Sequence, residues 1–312
     1  MTHLHLMPVF DIATINEDPE QVANIDQPFS KLCELNQAVK DDANFSGYCA
    51  SSDTIAEVFE TILPNDSKDN PIVQDLNDYV RSVDSYNWGY DPYHYTVPEG
   101  SYATDAEGSQ RILEFRQMVQ SVKQDIGMNV VVDVVYNHTN ASGLNEKKSV
   151  LDKVVPLYYH RLVPDTGNVE TSTCCENTAP EHAMFAKLID DSVKTWVEAY
   201  KIDAFRWDLM GHHPLAQIQG TLTTAREANP EVYFYGEGWN FGEVENNKRF
   251  IQATQPNLGG TGIGSFSDRL RDAVRGGTPF DSGDAIRKNP RLCDRCSGIT
   301  KRVKRQRGWH GR

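Results

Sequence analysis

Residues 129–138 read Asn129-Val130-Val131-Val132-Asp133-Val134-Val135-Tyr136-Asn137-His138. Five valines around a single Asp make a near-continuous apolar run, which is the pattern of a strand buried on both faces of a parallel sheet. Polar groups follow at once. Working outward, the same alternation recurs, a short β-branched or aromatic run and then an amphipathic helical stretch. It predicts strands over residues 3–9, 201–205, 232–235 and 262–266, and helices over residues 107–125, 181–200 and 215–228, with Gly127 as the left-handed stop of the first helix. The class read from this pattern is α/β with a parallel sheet.

The chain has 312 residues, of which 39 % are hydrophobic, enough for one large core and ordinary for a globular fold. Its net charge of −13 is uneven: residues 287–312 carry ten Lys or Arg against the single acid Asp294, which leaves the remainder at −22. An acidic body disfavours nucleic acid and anionic membrane and suits a neutral ligand such as a sugar. Neither a membrane span nor a signal peptide is read from the sequence, and the compartment is left open. Cys33 and Cys49 flank a polar stretch and could close a disulfide in an oxidising compartment, whereas Cys174 and Cys175 read as small, partly buried residues. Metal readings of Cys293-x-x-Cys296 and of the His212-His213 pair find no further ligands at suitable spacing.

Chemistry-bearing residues gather just past the strands. Asn137 and His138 follow the first run, Phe205-Arg206-Trp207-Asp208 closes the next, and Tyr235-Gly236-Glu237-Gly238-Trp239 the third. An acid at one strand end is commonly a structural ion pair, but three consecutive βα units carrying them at the same end favour a site. Glycosidic bond cleavage asks for two carboxyl groups, one to protonate the leaving oxygen and one to face the anomeric carbon. Arg206 stands two residues before Asp208, so both point to one face of a strand and the guanidinium can hold that carboxylate ionised.

These three motifs, together with Tyr86-Asn87-Trp88-Gly89-Tyr90-Asp91-Pro92, resemble those of the pullulanase and limit dextrinase type debranching enzymes of the α-amylase superfamily, glycoside hydrolase family 13. The likeness runs over most of residues 1–289. It implies a partial TIM (β/α)8 barrel with about six of the eight strands, interrupted by an insertion at about residues 16–85. It also implies a retaining hydrolysis of α-1,6-glucosidic branch points in which Asp208 is the nucleophile and Glu237 the general acid/base, kept protonated at rest by a dry surrounding of Trp239 and Tyr235. Tyr90, His138, Arg206, Trp239 and His213 would contact the glucan, with Tyr90 stacking on a sugar ring, while Asp133 and Asn137 brace the site or a nearby ion. No cofactor is required by this chemistry, and a structural calcium is left open. The expected partner is an α-glucan, with neither nucleic acid nor membrane.

The family's fourth region, a His-Asp pair, is not found, nor is a carbohydrate-binding module ahead of the barrel. Truncation is therefore expected, and low turnover with it, with a glucan-binding remnant or an unstable fragment as the alternatives. Residues 290–312 are basic and aperiodic, and they read as a non-native or disordered tail produced by a change of reading frame.

Overall fold

In the computed structural model, residues 1–63, 70–275 and 277–278 are described. The basic stretch 290–312, with Cys293 and Cys296, lies outside them. The chain divides into two units, Met1–Ile263 and Gly264–Arg312. The second, where described, holds a short strand, Gly264–Ser265, and a helix, Asp268–Arg275.

The valine run becomes β2 (Asn129–Val134), in which every residue from Val130 to Val134 is buried. It lies between β1 (His3–Leu6) and β3 (Ala204–Trp207), and β4 (Tyr233–Gly236) follows β3, all parallel. The first unit thus places four strands in its parallel sheet among the described residues. Phe10–Ile12, just after β1, lies outside this sheet and pairs antiparallel with Pro92–Pro98. Pro8, which cannot donate a ladder hydrogen bond, stands where β1 ends short of its expected span.

β3 also begins later than expected, at Ala204 rather than Lys201. Lys201 adopts a left-handed φ of 61°, which turns the chain, and Asp203 then acts through its side chain. It accepts from Lys123 Nζ at 2.7 Å and from the backbone N of Val130 at 2.9 Å. The helices α1 (Gln110–Ser121), α2 (Ala183–Glu198) and α3 (Leu215–Ala228) accompany the strands. A π turn extends α1 to Gly127, whose φ of 75° supplies the left-handed stop. Trp196 on α2 packs on Tyr200 at 4.4 Å and on Phe115 at 5.6 Å, and its indole donates to the carbonyl of Tyr95 at 2.9 Å. That single side chain ties α1, α2 and the Pro92–Pro98 strand into one core.

The insertion expected at about residues 16–85 is largely helical where it is described. Among the described residues, 29–81 contain four α-helices, Phe29–Leu35, Gln37–Asp41, Ile55–Ile62 and Pro71–Arg81. They are too short to carry a clear period, but their caps are explicit in the sequence: a Thr54–Glu57 capping box and an Asn70 cap followed by Pro71. Phe29, Leu32, Phe45, Ile55 and Leu76 form a core of their own, and Cys33 is bonded to Cys49. Cys174 is likewise bonded to Cys175, so these two are a disulfide rather than separate small residues.

Because this smaller core is separate from the one under the sheet, Leu32→Ala is expected to cost about 2–5 kcal/mol locally. Hydrogen exchange should show lost protection across residues 29–81 with the amides of β2 unchanged.

Candidate active site

Strand register builds the site. β2 and β3 pair so that Asp133 faces Arg206, and β3 and β4 pair so that Arg206 faces Tyr235. The parallel ladder continues one residue further, with Asp208 N donating to the carbonyl of Val134 at 2.9 Å and Glu237 N to that of Trp207 at 3.0 Å. Both acids are therefore carried on the rigid edge of the sheet.

Arg206 is the hub. Its Nη1 donates to Asp133 Oδ1 and to Asp208 Oδ1, each at 2.8 Å, and its Nη2 lies 2.9 Å from Glu237 Oε1. Asn137 Nδ2 donates to Asp208 Oδ2 at 2.8 Å, and Asn137 Oδ1 lies 2.6 Å from His138 Nδ1. His138 Nε2 lies 2.8 Å from the carbonyl of Tyr90, whose hydroxyl donates to Asp133 Oδ2 at 2.8 Å. The contacts form a closed circuit through Asp133, Arg206, Asp208, Asn137, His138 and Tyr90. Burial is the largest influence on Asp133 and pushes its carboxyl up to about 7, against the pull of Arg206 and Tyr90.

Glu237 is more open than its partners, and its Oε2 accepts from the backbone N of Leu209 at 3.1 Å. Leu209 reaches this position through a left-handed turn with φ 41°. The dry cage expected around Glu237 is not what surrounds it, because both carboxyl oxygens face donors. Tyr235 turns toward β1 instead, its hydroxyl 3.1 Å from His5 Nδ1. Trp239 is half-buried two residues beyond Glu237. The chain can return this close only over a glycine, since a Cβ on Gly211 would stand 2.0 Å from the Trp239 carbonyl.

His213 corrects the expectation of a sugar contact. It is fully buried, with Nδ1 3.0 Å from Gln217 Oε1 and its ring edge-on to Trp207. Such a side chain supports the wall and has no surface to offer a ligand. Burial drives it down to about 3 and His212 to about 4.

Sequence reading missed a second charged cluster behind this wall. Buried Arg161 donates to both oxygens of Glu181 at 2.9 and 2.8 Å, to Glu243 at 2.6 Å and to the carbonyl of His212 at 3.0 Å. Burial opposes charge on Glu243, yet Ser172 and Arg161 outweigh it and hold the carboxyl near 2. The signal was an Arg followed by Leu162-Val163, a cation inside an apolar context. Among the described residues, two groups could approach a metal: His138 with Cys174 and Cys175, and Asp11 with Glu17 and Glu99. In the first the sulfurs are bonded to each other, and in the second Arg111 already pairs with Asp11 and Glu17.

A pullulanase from Klebsiella aerogenes is 62 % identical over 289 residues, covering 93 % of this chain and 26 % of its own length. Pullulanase 1, chloroplastic, of Arabidopsis thaliana is 44 % identical over 288 residues, covering 90 % of this chain. By sequence this chain is related to the pullulanases. The family described as Pullulanase Ins domain matches residues 12–86. The crystal structure of PulA from Klebsiella oxytoca superposes with a TM-score of 0.87 over 92 % of this chain and 27 % of that one, and a maltotriose complex of PulA from Klebsiella pneumoniae matches equally well, over 30 % of its length. The chain spans about a quarter of the length of the Klebsiella pullulanases it matches.

Removing the hub should leave three carboxylates facing one another, so Arg206→Gln is expected to destabilise the fold by about 3–5 kcal/mol near neutral pH. The deficit should shrink as acidification neutralises the carboxylates, which denaturant melts at successive pH values will show. The buried histidines give a second pH effect. Their folded pKa values, about 4 for His212 and about 3 for His213, lie below the ordinary 6.5, so the folded state binds fewer protons in that window. Their contribution is complete above pH 6.5 and is lost as pH falls toward 4, at about 1.4 kcal/mol per pH unit for each group. His213→Gln should flatten part of that slope.

Proposed function

We propose that this chain carries the central part of a retaining α-1,6-glucosidase site acting on branch linkages of α-glucans. The observation that supports it best is the convergence of Asp208 and Glu237 on a single guanidinium. Their carboxyl groups are separated by no more than the width of that group and two hydrogen bonds. A retaining glycosidase needs its pair about 5–5.5 Å apart. In this reading Asp208 attacks the anomeric carbon while Glu237 gives its proton to the departing oxygen of the branch. Water then attacks the glycosyl ester, Glu237 takes the proton back, and Asp208 is released. Arg206 and Asn137 hold the nucleophile in line, and Asp133 and Tyr90 hold Arg206.

The four parallel strands are read as an arc of a (β/α)8 barrel within residues 1–289, with the insertion at about residues 16–85 as an excursion from it. No cofactor enters the chemistry. The natural partner is an α-glucan, consistent with the maltotriose complex of the Klebsiella pneumoniae relative.

Contacts that tighten only in the transition state govern the chemical step, and the expected His-Asp region is not found in this sequence. The chain purified as it stands is therefore expected to gain thermal stability from maltotriose yet to release few reducing ends from pullulan, within about tenfold of its Asp208→Asn control. Release at an ordinary glycosidase rate overturns the low-turnover expectation. The absence of any maltotriose effect overturns the glucan reading.

A further inference from the structure

Cys174 and Cys175 are neighbours in sequence and are bonded to each other. A bridge stabilises a fold chiefly by closing a loop in the unfolded chain, and this one closes no loop of intervening residues. The Cys33–Cys49 bond, by contrast, has a sequence separation of 16 and sits in the core of the insertion. The vicinal pair therefore asks for a chemical role, and its surroundings supply one. His138 pairs with Asn177 across a short antiparallel ladder, which brings the turn carrying both sulfurs to the imidazole. The two Sγ atoms and a ring nitrogen of His138 all lie within 4.8 Å of one another. Cys174 is exposed, Cys175 half-buried and His138 buried.

We infer that reduction of this pair creates a site for a thiophilic divalent cation, with Zn²⁺ as the fitting ion, held by Cys174, Cys175 and His138. A dithiol reductant opens the bond in two exchanges. One thiolate of the reductant attacks the exposed Cys174 sulfur, and Cys175 leaves with the electron pair. The second thiolate then attacks the reductant's sulfur in the mixed disulfide and expels Cys174. The reductant departs as a cyclic disulfide, and its two electrons and two protons end on the cysteines. Binding of Zn²⁺ releases those two protons to solvent.

Two thiolates and an imidazole form a donor set that zinc takes, with a fourth position left to water, whereas Ca²⁺ and Mg²⁺ ask for oxygens. Bonds of about 2.3 Å to sulfur and 2.0–2.1 Å to nitrogen put the donors of one zinc about 3.5–3.8 Å apart, so the sulfurs need only part and close on the ring nitrogen by about 1–1.5 Å. The turn is tied to the ladder that holds His138, because Asn177 Nδ2 donates to Ser172 Oγ at 3.1 Å and Thr173 Oγ1 donates to Asn177 Oδ1. Both ring nitrogens of His138 already face acceptors, Asn137 Oδ1 at 2.6 Å and the Tyr90 carbonyl at 2.8 Å. The ion must take one of them, so occupancy removes a link from the circuit around Asp208.

The test is equilibrium dialysis of the full chain against Zn²⁺, in a Cys293→Ser, Cys296→Ser background that removes the remaining cysteines. After limited treatment with dithiothreitol, which gel filtration then removes, alkylation mapping is expected to find Cys174 and Cys175 as thiols with the Cys33–Cys49 bond intact. That chain should bind one Zn²⁺ at least about a hundredfold more tightly than the oxidised chain, and Co²⁺ in its place should give a sulfur-to-metal charge-transfer band. Cys174→Ser, at an exposed position, should weaken Zn²⁺ binding by at least about tenfold, and His138→Gln by a like amount. A thermal melt verifies each fold, and should His138→Gln not fold, Cys174→Ser decides. The site is refuted if the reduced chain binds no Zn²⁺, if the oxidised chain binds it as tightly, if Cys174→Ser or a folded His138→Gln leaves the affinity unchanged, or if the Cys33–Cys49 bond opens first.

Discussion

A single buried guanidinium shared among three carboxylates governs how this protein is put together. Arg206 offsets only one of the three negative charges around it, so the cluster concentrates like charge where water has been withdrawn. Burial first, and the neighbouring Asp208 after it, push the Asp133 carboxyl up against the pull of Arg206. Position is set by register: Asp133 faces Arg206 because β2 and β3 pair as they do. A slip of one residue would send the acid into the helix-facing core and bring a valine to the hub.

The apolar run of β2 offsets this cost. Val130, Val132 and Val134 pack with Trp196, Phe205 and Phe234 in one cluster on the side away from the acids. The same strand therefore carries the stabilising face and the destabilising one, and neither can be altered without the other. Fixing the acids through backbone hydrogen bonds at strand ends, rather than on free loops, means little reorganisation is left for the moment of reaction.

Legibility followed the range of the physical cause. The β2 run and its flanking helices were readable because burial imposes a local period, and the strand-end cluster was readable because alternation puts Arg206 and Asp208 on one face. What was misread depends on partners distant in sequence. Nothing local says that Tyr235 would turn to His5, that His213 would be sealed against Trp207, or that Asp203 would spend its carboxylate on Lys123 and so delay β3. The helices of residues 29–81 failed for another reason. Segments of five to eleven residues hold too few turns for periodicity to emerge, and only the caps betray them.

Two long stretches of chain leave the parallel sheet, the insertion before residue 86 and the segment between β2 and α2, and the second carries only the two-residue pairing of His138–Thr139 with Glu176–Asn177. Each is stabilised by a closure independent of the sheet. Residues 29–81 have a separate apolar core and the Cys33–Cys49 bond. The excursion after β2 is pinned by Arg161, whose buried contacts to Glu181, Glu243 and the carbonyl of His212 join three separate stretches of chain. These closures have a directional consequence. Glu243 and His212 both follow strand-end acids, so the Arg161 cluster grips the same backbone that sets Asp208 and Glu237. Order in the loops and order at the acids are one property, imposed from behind by a cation that touches neither carboxylate.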